Sequence, residues 1–253
     1  MPVQVLAMRD ELAGRDFDLP GEWWPDQPGV VGGRDRRAGG TWCVSDVAAG
    51  TTAVVLNRPE RRDALPGAAS RGVLPLLALR HGDRWPDHVD IEPMAGFNVV
   101  LLQPDALTWW SFDGASLSRE QLAAGTYQFK PRGRIAEVPA PLLTGGVTDV
   151  GAADIDADEY WGGWLRAVRD SEPTDDGAGL LVRRVVGDES YETVFGQLIA
   201  SRPGTLRLDY RARVARADGP WSTRVWNAAL GGSQGGGQGG RQPAPGEQKW
   251  VVS

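Results

Sequence analysis

Apolar and polar residues alternate most regularly late in the chain, where Leu206, Leu208, Tyr210, Ala212 and Val214 are separated by Arg207, Asp209, Arg211 and Arg213. A period of two marks a strand, here with one face expected to be buried and the other wet. Residues 191–200 are apolar around Phe195-Gly196, and residues 51–56, 99–102 and 125–129 read as further strands. The run 108–112 follows 99–102 across a Pro-Asp turn, which predicts a hairpin. At the other end, Val3-Gln4-Val5-Leu6-Ala7 gives way after Met8 to Arg9-Asp10-Glu11, so a strand end delivers one cation and two carboxylates to a sheet edge. Helical patterns are few. Residues 70–81 place Leu74, Leu77 and Ala78 on one face, with Pro75 confined to the first turn. Residues 154–159 supply the acidic first turn of a helix running to about residue 170. Strands in runs with few helices predict an α+β fold rather than a βαβ repeat.

Between these elements, residues 14–29 form a Gly/Pro-rich loop holding Trp23 and Trp24, and residues 32–40 read as a basic, glycine-flanked turn. From Gly231 the chain becomes Gly-, Gln- and Pro-rich, so residues 1–230 are expected to form one domain and residues 231–253 a flexible tail.

Composition narrows the function. The 253-residue chain is 41% hydrophobic and 24% charged, with net charge -6 and no Lys/Arg block, which argues against a nucleic-acid partner. No apolar run approaches a membrane span, and the first residues lack a signal pattern. A single cysteine, Cys43, excludes an internal disulfide and fits a reducing cytoplasm. His81 and His88 share one Gly/Pro loop, a poor metal-ligand set, so neither metal nor cofactor is expected. Eleven tryptophans suggest core, although Trp23-Trp24, Trp109-Trp110 and the Trp161/Trp164 pair are also able to wall a pocket for an apolar ligand. No Gly-x-Ser-x-Gly elbow occurs, and Cys43 between Trp42 and Val44 reads as a buried, inert thiol. Asn57 ends a strand, where its side chain can donate to an oxyanion or cap the next turn.

Ala7-Met8-Arg9-Asp10-Glu11, Gly39-Gly40-Thr41-Trp42, Val55-Leu56-Asn57, Ser70-Arg71-Gly72 and Gly96-Phe97-Asn98 occur in that order along the chain. Together they resemble the NRDE-domain family, also called the transport and Golgi organisation two-like family. Gly125-Thr126-Tyr127 and Val194-Phe195-Gly196 extend the resemblance over most of residues 3–226. The family is similar to N-terminal-nucleophile hydrolases, which implies a four-layer αββα sandwich of two stacked antiparallel sheets. In that superfamily the first residue attacks the acyl carbon and its own α-amine serves as base, which a pKa near 8 permits. The resemblance implies that Asp10 orients the α-ammonium, that Arg9 flanks the nucleophile, and that Asn57 donates to the oxyanion. Trp23, Trp24 and Asn98 are the candidate ligand-binding residues.

The chain departs from the family pattern at Met8, where an Asn is usual, and after Tyr127, where a further Asn is not found. Family members usually begin with Met-Cys and a strand before the motif, whereas here Pro2 follows Met1 and only seven residues precede Met8. A start placed too far downstream, a genuine loss, and use of the Pro2 amine are the alternatives. The first is preferred, because a missing inner strand leaves two unpaired ladder edges. Three functions remain open: a hydrolase of an amide or related acyl bond acting on a small molecule; a carrier of an apolar ligand such as haem or acyl-CoA; and a structural relic without a site.

Overall fold

Strand β1 (Val3–Leu12) divides its residues between two cores, as its alternation requires. Val3, Val5 and Ala7 join one buried cluster, while Leu6 joins another on the opposite face. In the computed structural model, which describes residues 2–60, 63–123, 125–135, 149–176, 179–215, 219–228 and the backbone of 249–252, the chain then builds one sheet in plain succession. Strands β2 (Phe17–Gly21), β3 (Val30–Asp35), β4 (Cys43–Asp46), β5 (Thr51–Asn57), β6 (Phe97–Leu102), β7 (Leu107–Phe112) and β8 (Leu117–Leu122) lie side by side in chain order and pair antiparallel. The 99–102 and 108–112 runs form the expected hairpin, β6 with β7.

Later strands return to β1. They are β9 (Thr126–Lys130), β10 (Gly133–Ile135), β11 (Arg183–Val186), β12 (Glu189–Arg202), β13 (Thr205–Ala212), β14 (Ser222–Asn227) and β15 (Lys249–Val252). The second sheet has the order β10-β9-β15-β1-β12-β13-β14, with β11 beside the first part of β12. Apolar side chains from both sheets fill the space between them: Val5, Phe195 and Leu208 from one, Val54, Val100 and Leu107 from the other. Helix α1 (Leu74–His81) covers the outer face of the first sheet through Leu74, Leu76 and Ala78. Helices α2 (Ala157–Trp161) and α3 (Gly163–Arg169) cover the outer face of the second through Trp161, Trp164 and Leu165. The layers run helix, sheet, sheet, helix, the α+β sandwich that the resemblance implied. Among the described residues, no helix is long and apolar enough to cross a membrane.

Several local expectations change. The basic turn at 32–40 begins later, because β3 continues through Gly32 and Gly33 to Asp35. At Gly33 a Cβ would lie 2.3 Å from the Trp42 ring, so the absent side chain is what lets that indole lie across the strand. Residues 117–122, polar and without an apolar run, form strand β8, whose mostly exposed edge position tolerates that polarity. The helix expected to run to residue 170 starts at an Asp156 cap, whose carboxylate accepts from the Glu159 amide at 2.9 Å, but it breaks at Gly162, where φ is 47°. The supposedly wet face of β13 is also covered. Arg207 and Asp209 are both 0% exposed beneath α2. Asp209 accepts from Arg207 Nε and from Trp161 Nε1 at 2.7 Å each, while Arg207 Nη2 donates to the Ile155 carbonyl at 2.9 Å. Two oppositely charged residues two apart on a strand share a face, and that allows the pair to be buried as a unit.

The tail expectation changes over its last described residues. Residues 231–248 lie outside the described set, but β15 pairs with β1 and with β9, parallel to both. Trp250 aligns with Val5 and Tyr127, and Val252 with Ala7 and Phe129. The two ladder edges are thus satisfied in the middle of the sheet. Deleting residues 229–253 is expected to lower the melting temperature and to speed hydrogen exchange at the alternate amides of residues 5–7 and 126–129 that face the gap; unchanged protection there excludes the insertion. Asp209→Ala is expected to destabilise the fold by about 3–5 kcal/mol in urea titration, because Arg207 is left charged and buried.

Candidate functional site

A bulge in β12, opposite Arg9 and Asp10 of β1, sets up the site. Arg9 aligns with Phe195 but Asp10 aligns with Thr193, so Val194 is an extra residue on β12 and the side-chain alternation is interrupted. Bulges re-aim side chains, and here consecutive residues Met8, Arg9, Asp10 and Glu11 all line one cavity of about 200 Å³. The cavity opens just beyond the end of β15, where β1 continues past Ala7 and β9 runs into Pro131. Strand β5 brings Val55, Leu56 and Asn57 to it, and the turn before α1 brings Ser70, Arg71 and Gly72. Arg9, Asp10 and Asn57, chosen from separate stretches of sequence, therefore line the same space.

Arg9 is held tightly. Its side chain is 7% exposed, and Nη2 donates to Asp35 Oδ2 at 3.0 Å, with Glu11 at 3.7 Å. The guanidinium also lies over Trp42, 4.5 Å from the ring centroid, and near Phe17 at 5.1 Å. Burial lowers its pKa, and Glu11 and Asp35 oppose that shift. Asp35 is shared with Arg15, which donates from Nε at 2.7 Å and from Nη2 at 3.2 Å. Burial pushes the Asp35 carboxyl up, but hydrogen bonds from Arg15 and the Ala38 amide, with the Arg15 and Arg9 charges, outweigh it and hold it below the usual carboxylate range.

Asp10 has a different environment. It accepts one side-chain hydrogen bond, from Thr193 Oγ1 at 2.6 Å, while its backbone carbonyl accepts from the Tyr191 hydroxyl at 3.2 Å. It keeps some contact with solvent, yet desolvation raises its pKa; the Thr193 bond and the more distant Arg184 and Lys130 charges only partly oppose the rise. The carboxyl is thus poised to bind a cation or to hold a proton. Tyr191 is pushed up to about 12 by burial and by the charges of Asp10 and Glu11, which makes it a neutral hydrogen-bond donor. Asn57 is exposed at the strand end, with no side-chain hydrogen bond to a described residue.

The remaining candidates sit elsewhere. Trp24 belongs to the core beneath α1, its Nε1 donating to the Gly39 carbonyl at 3.1 Å. Trp23 is exposed, stacked under Arg34 at 4.8 Å, with Nε1 donating to the Leu19 carbonyl. Asn98 is fully buried, one step from the cavity. Its Nδ2 donates to the Pro131 carbonyl at 3.0 Å, and its Oδ1 accepts from Trp109 Nε1 and Ser111 Oγ, so it fixes a wall residue in place. Cys43 is buried between the sheets and its thiol is pushed up to about 12, as an inert thiol should be. Among the described residues there is no cluster of His, Cys, Asp and Glu able to hold a metal.

Sequence reasoning gave no role to Arg15, Asp35, Trp42, Arg71, Tyr191 and Thr193. Trp42 and Arg71 were already within recognisable motifs, which was the available signal. A close glycine contact explains their company: a Cβ at Gly40 would meet Gly72 backbone at 2.4 Å, and the Thr41 amide donates to the Gly72 carbonyl at 2.8 Å. The Gly39–Trp42 and Ser70–Gly72 motifs are two halves of one joint.

A two-sheet α+β sandwich with a charged cavity at the end of its N-terminal strand defines the class. The chain belongs to the family described as Transport and Golgi organisation 2, whose model matches residues 2–129, half of the chain. That stretch contains Arg9, Asp10, Asp35, Asn57 and Arg71 but stops short of Tyr191 and Thr193. A search against curated proteins gives no match.

The raised Asp10 pKa gives a signed prediction. Above the ordinary value near 3.8 the unfolded carboxyl ionises before the folded one, so wild-type stability falls as pH rises through the interval up to the folded pKa. Asp10→Asn keeps the shape and titrates nothing. Its stability relative to wild type, measured by urea unfolding, is expected to grow between about pH 4 and pH 7. A gap that is flat or shrinks with pH contradicts the assignment.

Proposed function

We propose that the cavity is the acyl-transfer site of an N-terminal-nucleophile-type hydrolase acting on an amide or related acyl bond of a small molecule, in the cytoplasm. In this reading Asp10 holds an α-ammonium, Arg9 flanks the nucleophile and Asn57 donates to the oxyanion. The nucleophile adds to the acyl carbon, the C–N bond breaks as the α-amine passes a proton to the leaving amine, and water then releases the acid. The observation that supports it is the convergence of Arg9, Asp10 and Asn57 on one cavity, with Asp10 at a raised pKa and the Asn57 amide unengaged by described residues. Asp10 accepts no ion pair from a described residue within 4 Å, as suits a carboxylate awaiting an ammonium.

The carrier reading fits the cavity less well. Its volume of about 200 Å³ lies below the roughly 300–1,000 Å³ of sites for drug-sized ligands, and six charged residues line it. Of the tryptophans with described side chains only Trp42 is on its wall, while Trp24, Trp85, Trp110, Trp161 and Trp164 are core.

The test is a hydrolysis screen of small amides and esters, using protein expressed from the natural locus with whatever in-frame codons precede Met1. Wild-type turnover is expected, falling by about 10²–10³ in Asn57→Ala, the loss typical of one oxyanion donor, and to background in Asp10→Ala. Turnover that survives both substitutions, or a wild type inert across the screen, overturns the proposal. Quenching of tryptophan emission by micromolar haem or acyl-CoA in an inert protein moves the reading to the carrier.

A further inference from the structure

Six charged side chains line the cavity: Arg9, Arg15 and Arg71, with Asp10, Glu11 and Asp35. Their pairing is uneven. Arg9 and Arg15 divide Asp35 and Glu11 between them, all four contacts falling within 3.7 Å. Arg71 has no such partner. Its one hydrogen bond runs from Nη1 to the Gly96 carbonyl at 2.8 Å, and no described carboxylate comes within ion-pair distance; Glu11 acts on it only from further off. The side chain is half-buried at the cavity wall, and partial burial lowers its pKa. A guanidinium that lines a cavity without a counter-charge from the protein is available to an anionic group of a ligand.

A second observation points to the same kind of ligand. The Arg9 side chain is more than nine-tenths buried, yet its Nη1 has no hydrogen-bond partner among the described residues. Trp42 Nε1, on another wall residue, is likewise buried without a partner. The wall is thus rich in donors short of acceptors, and of these residues Arg71 is the one whose side chain still reaches the open space. The Gly40–Gly72 contact fixes the turn that carries Arg71, so its position is part of the fold rather than a feature of a free surface side chain.

We propose that the site takes a small amide bearing a carboxylate and that Arg71 receives this carboxylate. Arg71 is then the residue that selects the substrate class, through the planar fork that guanidinium offers to carboxylate. Binding of the carboxylate stands independently of the hydrolase reading, on which only the chemical steps after binding rest. The acyl-amide body lies toward Asp10 and Asn57, and a cavity of about 200 Å³ restricts it to compact molecules such as short N-acyl amino acids.

The test compares N-acetylglycine with N-acetylglycinamide, which share a scaffold and differ only in the charged end, by isothermal titration and thermal shift on the full chain. N-acetylglycine is expected to bind at least about tenfold more tightly, and added salt should narrow the difference. Arg71→Gln is expected to abolish the preference, and Arg71→Lys to retain part of it, while circular dichroism shows both variants folded. Equal binding of the two compounds, binding of neither at about 10 mM, or a preference that persists in folded Arg71→Gln overturns the inference. The arms separate the two proposals. Turnover of neutral amides with carboxylate analogues inert leaves the hydrolase standing and removes this substrate class; carboxylate-selective binding without any turnover does the reverse.

Discussion

A buried guanidinium has to be neutralised by something close, and in this protein the partner lies in the other sheet. Arg9 is on β1 and Asp35 is on β3, so their 3.0 Å contact ties the two layers together at the end where the cavity opens. Phe17 from β2 and Trp42, just before β4, lie against the same guanidinium. The sandwich would close here on apolar residues alone if stability were the only requirement, since replacing a buried ion pair by packed hydrocarbon is often neutral or better. Retaining a cation, its partner and two aromatic walls gives a polar end to an apolar core. The site occupies that end.

The neighbouring residue adds to the same tension. Asp10 is held where its charged form is disfavoured, with one hydroxyl as its hydrogen-bond partner. The bulge that re-aims it leaves Val194 without an opposite number on β1. Departures from regular strand geometry and from low-energy burial thus fall on adjacent residues. Such a concentration is the pattern expected where a site is built, and it is what makes this end of the sandwich the candidate.

Much of this was legible in the sequence, for identifiable reasons. Period-two alternation located the strands, and five short motifs in order gave the sandwich and brought forward Arg9, Asp10 and Asn57. What failed to show was anything decided by a neighbour distant in sequence. Arg207 and Asp209 look like the wet side of a strand until α2 and α3, whose own pattern is ordinary, are laid over them. Gly32-Gly33 looks like a turn because the indole that needs the space, Trp42, belongs to a separate stretch of chain. Trp23 and Trp24 are adjacent and equally apolar, yet one packs under a helix and the other on the surface. Asp35 sat among arginines in a loop, and only the approach of β1 makes it a partner for Arg9. The strand at Lys249–Val252 comes after a compositional stretch that local reading treats as coil, and its pairing depends wholly on a gap made elsewhere.

The pairing of β1 with β12 has a consequence for how the protein is made. Val3 aligns with Ser201 and Leu12 with Tyr191, so β1 waits until residues 191–201 have been made before that neighbour exists. The seven-stranded sheet has no such delay, because each of its strands pairs with the next one synthesised. Nascent chains therefore meet a long interval in which one layer is assembled while an apolar strand carrying Val3, Val5 and Leu6 stays unsatisfied. During that interval β1 is the segment in most need of a chaperone, and slowing translation after residue 122 should lengthen its exposure rather than help the protein fold.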